Sequence, residues 1–157
     1  VLTSGGAGVA PTFQAAGGGA AGSSAFLVGK SGAWATVASG SVVDFSSTSG
    51  EGFNTGGDFG SVETNAYTAP AAGVYIFGYH MYSNTSSNAS TWTFAINDTD
   101  LAIIGGLTVI THGTDVQVRE STVCLSLSSG DEVDVRSELA NSAFYGSLSY
   151  FWGCRLS

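Results

Sequence analysis

A chain of 157 residues is long enough for one domain with a sizeable core, and too short for two. Four basic residues against twelve acidic ones give a net charge of −8, and Lys30, Arg119, Arg136 and Arg155 are scattered, so no basic patch for nucleic acid is expected. No apolar run reaches the roughly 20 residues of a membrane span, no signal peptide is visible, and two cysteines without metal-ligand spacing predict free thiols, not a disulfide framework.

Residues 1–24 are Gly, Ala, Ser and Thr, with Phe13 as the one large anchor. Such a segment cannot offset its ordering entropy alone and reads as a linker or an extended attachment arm. Its glycines do not recur at every third position, so it is not a collagen stalk. Val1, standing where a methionine would open a gene product, fits a processed chain or part of a longer one.

From residue 25 the pattern changes to short strands. Ala25 to Val28 is one, and the stretch from Trp34 to Phe45 contains a second. Residues 46–60 read as a turn-rich loop carrying Phe53 and Phe59, and 62–68 alternates weakly. The strongest signal is 73–82, where Tyr75, Phe77, Tyr79 and Met81 alternate with Val74, Ile76, His80 and Tyr82. A strand sends successive side chains to opposite faces, so this one is apolar on both and must be covered on both. Trp92, Phe94 and Ile96 follow in alternation, and the run from Asn97 to Asp100 has hairpin-turn chemistry. Strands are also predicted at 116–127 and 132–136, and Phe144, Gly146, Leu148, Tyr150 and Trp152 read as one last alternating strand. No stretch has helical periodicity. Eight to ten short strands at this spacing predict an all-β sandwich or barrel.

Three pieces in order resemble one family. Gly73-x-Tyr75-x-Phe77-x-Tyr79 resembles the signature of the globular head of complement component one q, a tumour necrosis factor-like jelly roll. Leu127-x-x-Gly130-Asp131-x-Val133-x-Val135 is similar to that family's penultimate hairpin, and Phe144-x-Gly146-x-Leu148-x-Tyr150 to its closing strand. The chain departs from the pattern at Tyr67, where the family has Phe, and Asn54 and Phe59 fit only with one extra residue before Tyr67. The resemblance implies a ten-strand jelly roll over 25–157 that forms a homotrimer. It assigns the surplus aromatic surface, Tyr75, Phe77, Tyr79, Tyr145 and Phe151, to the trimer interface. Residues 1–13, ending in Gly-Val-Ala-Pro-Thr-Phe, resemble a segment of bacteriophage tail-fibre and other structural proteins. Together the two imply a virion protein assembled in the host cytoplasm. Its arm would hold other virion proteins, and its head would contact a host surface receptor or glycan. A capsid decoration protein and a secreted complement-like binding module are the alternatives.

The chemistry-bearing residues point away from catalysis. His80 sits inside the central strand and reads as a packed, hydrogen-bonded histidine. His112 and Asp115 share a loop and could orient one another, but no nucleophile elbow accompanies them. Asp98 and Asp100 lack calcium-loop spacing and read as a turn. No enzyme activity, cofactor or metal is predicted. If the closing strand ends beside the arm, alternation of strand direction brings loops 83–90, 105–115 and 137–143 to the far tip, and 97–100 and 129–131 to the base. The tip loops nominate Asn84, Asn88, His112, Asp115, Glu138 and Asn141 as binding residues.

Overall fold

The computed structural model describes residues 2–3, 12–13, 24–46, 52–60, 64–84, 90–100, 108–109, 116–139 and 142–157. Among them the strands are β1 (Leu2–Thr3), β2 (Thr12–Phe13), β3 (Ala25–Gly29), β4 (Trp34–Val37), β5 (Phe53–Thr55), β6 (Phe59–Gly60), β7 (Ala66–Thr68), β8 (Gly73–Asn84), β9 (Thr91–Ile96), β10 (Thr99–Asp100), β11 (Thr108–Val109), β12 (Val116–Leu127), β13 (Glu132–Ser137), β14 (Ser142–Tyr145) and β15 (Tyr150–Arg155). Within the segment expected to be extended, β1 and β2 pair antiparallel, Leu2 opposite Phe13.

The remaining strands make two antiparallel sheets. In the first, β8 is flanked by β12 along one edge and by β15 and then β14 along the other; β3 and β4 lie outside those, and β5 outside β3. In the second, β9 lies between β13 and the pair β10 and β11, and β7 and β6 extend the sheet beyond β13. With β3/β4, β14/β15 and β10/β11 each counted as one ribbon, there are five ribbons a sheet, the ten-strand jelly-roll sandwich that was expected. The ends of the head meet, because Ala25 is the register partner of Cys154.

The core between the sheets is aromatic. Phe26, Phe45, Phe59, Tyr67, Tyr75, Phe77, Tyr79, Trp92, Phe94, Phe144 and Phe151 are all buried, and each such ring contributes roughly 1.5–3 kcal/mol by leaving water. Rings meet edge to face, as with Phe26 and Phe151 at 4.8 Å. Polar tips find partners: Tyr75 donates to the Ala71 carbonyl at 2.6 Å, Tyr79 to that of Trp92 at 3.0 Å, and the Trp92 indole to Ser83 Oγ at 2.9 Å. Tyr67, which stands where the resembled family has Phe, contacts Ser24 Oγ at 2.5 Å, and Ser24 donates to Asp58 at 2.5 Å. Burial pushes the Tyr67 phenol up to about 12.

This core corrects the interface assignment. Tyr75, Phe77, Tyr79 and Phe151 have at most 1 % of their surface exposed within a single protomer. They pack against the second sheet of their own sandwich and cannot also meet a neighbour. Alternation correctly separates the two faces of β8, but it is the other face that is left over.

The closing ribbon is also corrected. It is not one alternating strand, because a 3-10 turn, Gly146–Leu148, interrupts it. The turn resets the parity, so even-numbered Phe144 and odd-numbered Phe151 both point inward, and Tyr145, Tyr150 and Trp152 point outward. Two further strands, β5 and β6, lie in the stretch expected to be loop. Asn54 bridges the turn between them, donating to the Phe59 carbonyl at 2.9 Å and accepting from its N–H at 3.2 Å, and Gly56 and Gly57 supply the positive φ angles of 89° and 75°.

Candidate functional site

The outward face of the first sheet is the surface that the core leaves over. On β8 it presents Val74, Ile76, His80 and Tyr82. On β15 it presents Tyr150, Trp152 and Cys154, and on β12 Val118 and Cys124. Trp34 from β4, Tyr145 from β14 and Phe53 from β5 complete it. Trp34, Phe53, Val74, Val118 and Tyr150 are between 37 % and 46 % exposed, so side chains that ordinarily sit inside are in contact with water across one face.

Local order on this face is high. At the Asn84 end of β8, Trp34 meets Tyr145 edge to face at 5.3 Å, and Tyr82 lies 6.1 Å from Trp34. In the middle, the His80 imidazole stacks on Tyr150 at 4.7 Å with 6° between planes, and its Nδ1 lies 2.7 Å from Glu120 Oε1. The expected hydrogen-bonded histidine is therefore present, at the surface rather than in the core. Towards the Gly73 end, Cys124 and Cys154 flank Ile76, one on each neighbouring strand. Two inter-strand spacings put them about 10 Å apart, beyond the reach of a disulfide, and both are free.

The strand directions place the two ends as expected. Asn84 has both Ala143 and Val116 as register partners, and Ser137 pairs with Trp92, so these strand ends collect at the end away from Ala25. The turns after β9 and β12 meet at the other end, where Asn97 Nδ2 donates to Asp131 Oδ1 at 2.9 Å. Asn97 and Asp98 have positive φ of 48° and 66°, the hairpin turn predicted for them, and Asp98 accepts from Arg136 at 2.5 Å. Arg136 also forks onto Asp134 through two bonds of 2.8 Å.

Of the nominated binding residues, Asn84 closes β8 and Glu138 follows β13, its N–H donating to the Thr91 carbonyl at 3.1 Å. Asn88, His112, Asp115 and Asn141 lie outside the described residues. Of the nominated interface residues, Tyr145 alone is on the outward face. Sequence reasoning missed Phe53 and Val118 as surface-forming positions. Cross-strand register was the signal needed, and it exists only once the strands are paired. Among the described residues no group of three or more His, Cys, Asp or Glu side chains is placed to hold a metal, and no helix is long and apolar enough to cross a membrane.

Comparison with known proteins agrees with this architecture. The C1q domain matches residues 25–154. No curated protein matches the sequence. The globular domain of zebrafish complement 1qA superposes with a TM-score of 0.60 at 15 % identity, covering 85 % of this chain and 98 % of that one. Eiger TNF from S. frugiperda gives 0.58 at 15 % identity, over 87 % and 94 %. Murine APRIL gives 0.56 at 10 % identity, over 85 % and 98 %. At these identities the structures share the fold. Domains of this class are typically trimeric binding modules without enzyme activity. By its match over nearly the whole head, and by its two five-ribbon sheets, the chain belongs to the C1q domain family.

Proposed function

We propose that this chain is the trimeric head of a bacteriophage virion protein, which contacts the host surface with the end opposite its arm. The observation that carries the trimer is the exposed apolar face of the first sheet, centred on Val74, Ile76, Val118 and Trp152. A closed threefold ring buries one such patch per protomer and leaves no copy of it uncovered. The fold's relatives support the same assembly. The phage context rests on the resemblance of residues 1–13 to phage structural proteins, and it carries the location, the virion, with it. Because Ala25 and Cys154 are neighbours, the arm leaves from one end and the strand ends at Asn84, Ser137 and Ser142 gather at the other. Loops on a rigid scaffold, far from the attachment, are where recognition is commonly built.

Two measurements test this. Light scattering at micromolar concentration should return a trimer, and a stable monomer would refute the assembly. Replacing Asn84, Asn88, His112, Asp115, Glu138 and Asn141 together should leave the trimer intact and abolish adsorption to host cells. Unchanged adsorption, with changes at Asn97 and Asp131 preventing particle assembly, would make the chain a capsid decoration protein instead.

A further inference from the structure

His80 and Glu120 form an isolated pair on the face that the proposed trimer buries. They are register partners on β8 and β12, with Nδ1 2.7 Å from Oε1. Register fixes what else faces them. The outward neighbours are Gly78 and Tyr82 on β8, Val118 and Thr122 on β12, and Tyr150 and Trp152 on β15. The titratable groups among these are the phenols of Tyr82 and Tyr150. Tyr145 on β14 stands 6.2 Å from Tyr82, and the thiols of Cys124 and Cys154 flank Ile76 nearer the Gly73 end. β3, β4 and β5 bring Leu27, Gly29, Trp34 and Phe53 to this side. Arg119 is on the other face of β12, opposite buried Met81. Lys30, past the end of β3, is already ion-paired with Asp44, and Arg155 is tied back to the carbonyls of Ala72 and Ser157. Among the described residues, the outward strand positions thus carry one carboxylate, one imidazole and no further charge.

In a single protomer the Glu120 side chain is 66 % exposed and that of His80 20 %. Water screens such a pair, so it contributes little there. Closing a ring over the face takes that water away. A carboxylate enclosed beside Val118, Tyr82 and Tyr150 without a counter-charge is costly, and His80 supplies the charge by taking up one proton. Tyr150 favours the same state. Its ring lies 4.7 Å from the imidazole and 6° from parallel, so its π face is turned to the cation. We propose that the trimer closes with proton uptake, one proton per protomer held between His80 and Glu120, which makes the assembly pH-responsive. This inference rests on the trimer reading above. The proton count is the same whichever of the two groups holds the proton. Assembly raises the pair's affinity for it, so the stabilisation is complete below the ordinary imidazole value of about 6.5 and is lost as pH rises beyond it. Below the ordinary carboxylate value of about 4.3 the pair takes a second proton, the imidazolium loses its partner, and the trimer weakens again. The head is most firmly closed in a mildly acidic medium and loosens above neutrality.

The test uses the intact chain. Light scattering across a urea series, at constant ionic strength and pH values between 5 and 8.5, reads the step from trimer to monomer. In the parent the trimer dissociation constant should rise about a hundredfold or more from pH 6 to pH 8, as three protons leave each trimer. His80→Gln keeps a hydrogen bond to Glu120 but cannot take the proton, so at both pH values it should show the weak assembly that the parent shows at pH 8. Glu120→Gln removes the carboxylate. It should hold at pH 8 at least as firmly as the parent and weaken on acidification, the reverse of the parent's slope. Both positions lie outside the core, and circular dichroism should show both variants folded. A parent trimer whose stability is level from pH 6 to pH 8 overturns the proposal and leaves the trimer reading standing. So do variants that keep the parent's slope. A monomer at every pH overturns both.

Discussion

The indole of Trp152 lies directly against Gly78, its register partner on β8: a β-carbon at position 78 would come within 2.3 Å of the ring's Cε2 and Cζ2. The glycine is what lets a large outward side chain lie flat on the sheet, and the flat indole forms part of the apolar face. Gly78→Ala should therefore lift the ring, cost about 1–3 kcal/mol in the denaturant midpoint and shift tryptophan emission to the red. In the double variant with Trp152→Ala the cost should be smaller than the sum of the two single costs, because the clash is gone.

The two faces of β8 should respond differently to substitution. Phe77→Ala opens a cavity in the core and should cost about 3–5 kcal/mol in unfolding experiments. Val118→Asp, on the exposed face, should leave the protomer folded by circular dichroism and reduce the trimer to monomers by light scattering. A folded trimer in Val118→Asp would move the interface away from this face.

Tyr67 sets an alkaline limit. The folded state holds the phenol proton up to about pH 12, whereas the unfolded chain releases it near the ordinary 10.0. Stability should be level below pH 10 and fall between about 10 and 12, with a slope approaching ~1.4 kcal/mol per pH unit. Tyr67→Phe should remove that slope, and at neutral pH it should cost about 0.5–1.5 kcal/mol for the lost bond to Ser24.

Asp131 acts at the opposite end of the pH range. The Asn97 amide, followed by the Ser128 N–H, holds its carboxyl below the usual 3.8. The folded value is the lower one, so this contribution is present above the unfolded value and is lost as pH falls through the folded one. Melting temperature should therefore drop more steeply on acidification in the parent than in Asp131→Asn, with the two curves converging below the folded value.

What the sequence made legible followed from local rules. The alternation at Tyr75, Phe77 and Tyr79 marks a strand unambiguously, and the Asn97-Asp98 turn is readable because few residues accept positive φ. Alternation assigns residues to two faces but does not say which face is inside. That depends on the second sheet, which meets Phe77 through Tyr67. The parity change between Phe144 and Phe151 is produced by a single short turn, in a stretch where Gly146, Leu148 and Tyr150 happen to continue the alternation. β5 and β6 have three and two residues, too few for any period to show.

The register of β3 along β15 also determines how the head bears a load. Tension applied between Ala25 and the far end of the head would run along β3, parallel to the strand. The ladder bonds to β15 and β5 lie across that line, so they are strained together in shear and give way as a group. Force applied from the side would open the same ladder one rung at a time. Anchorage at the start of β3 would therefore place the head in the mechanically stronger of the two orientations open to an antiparallel sheet.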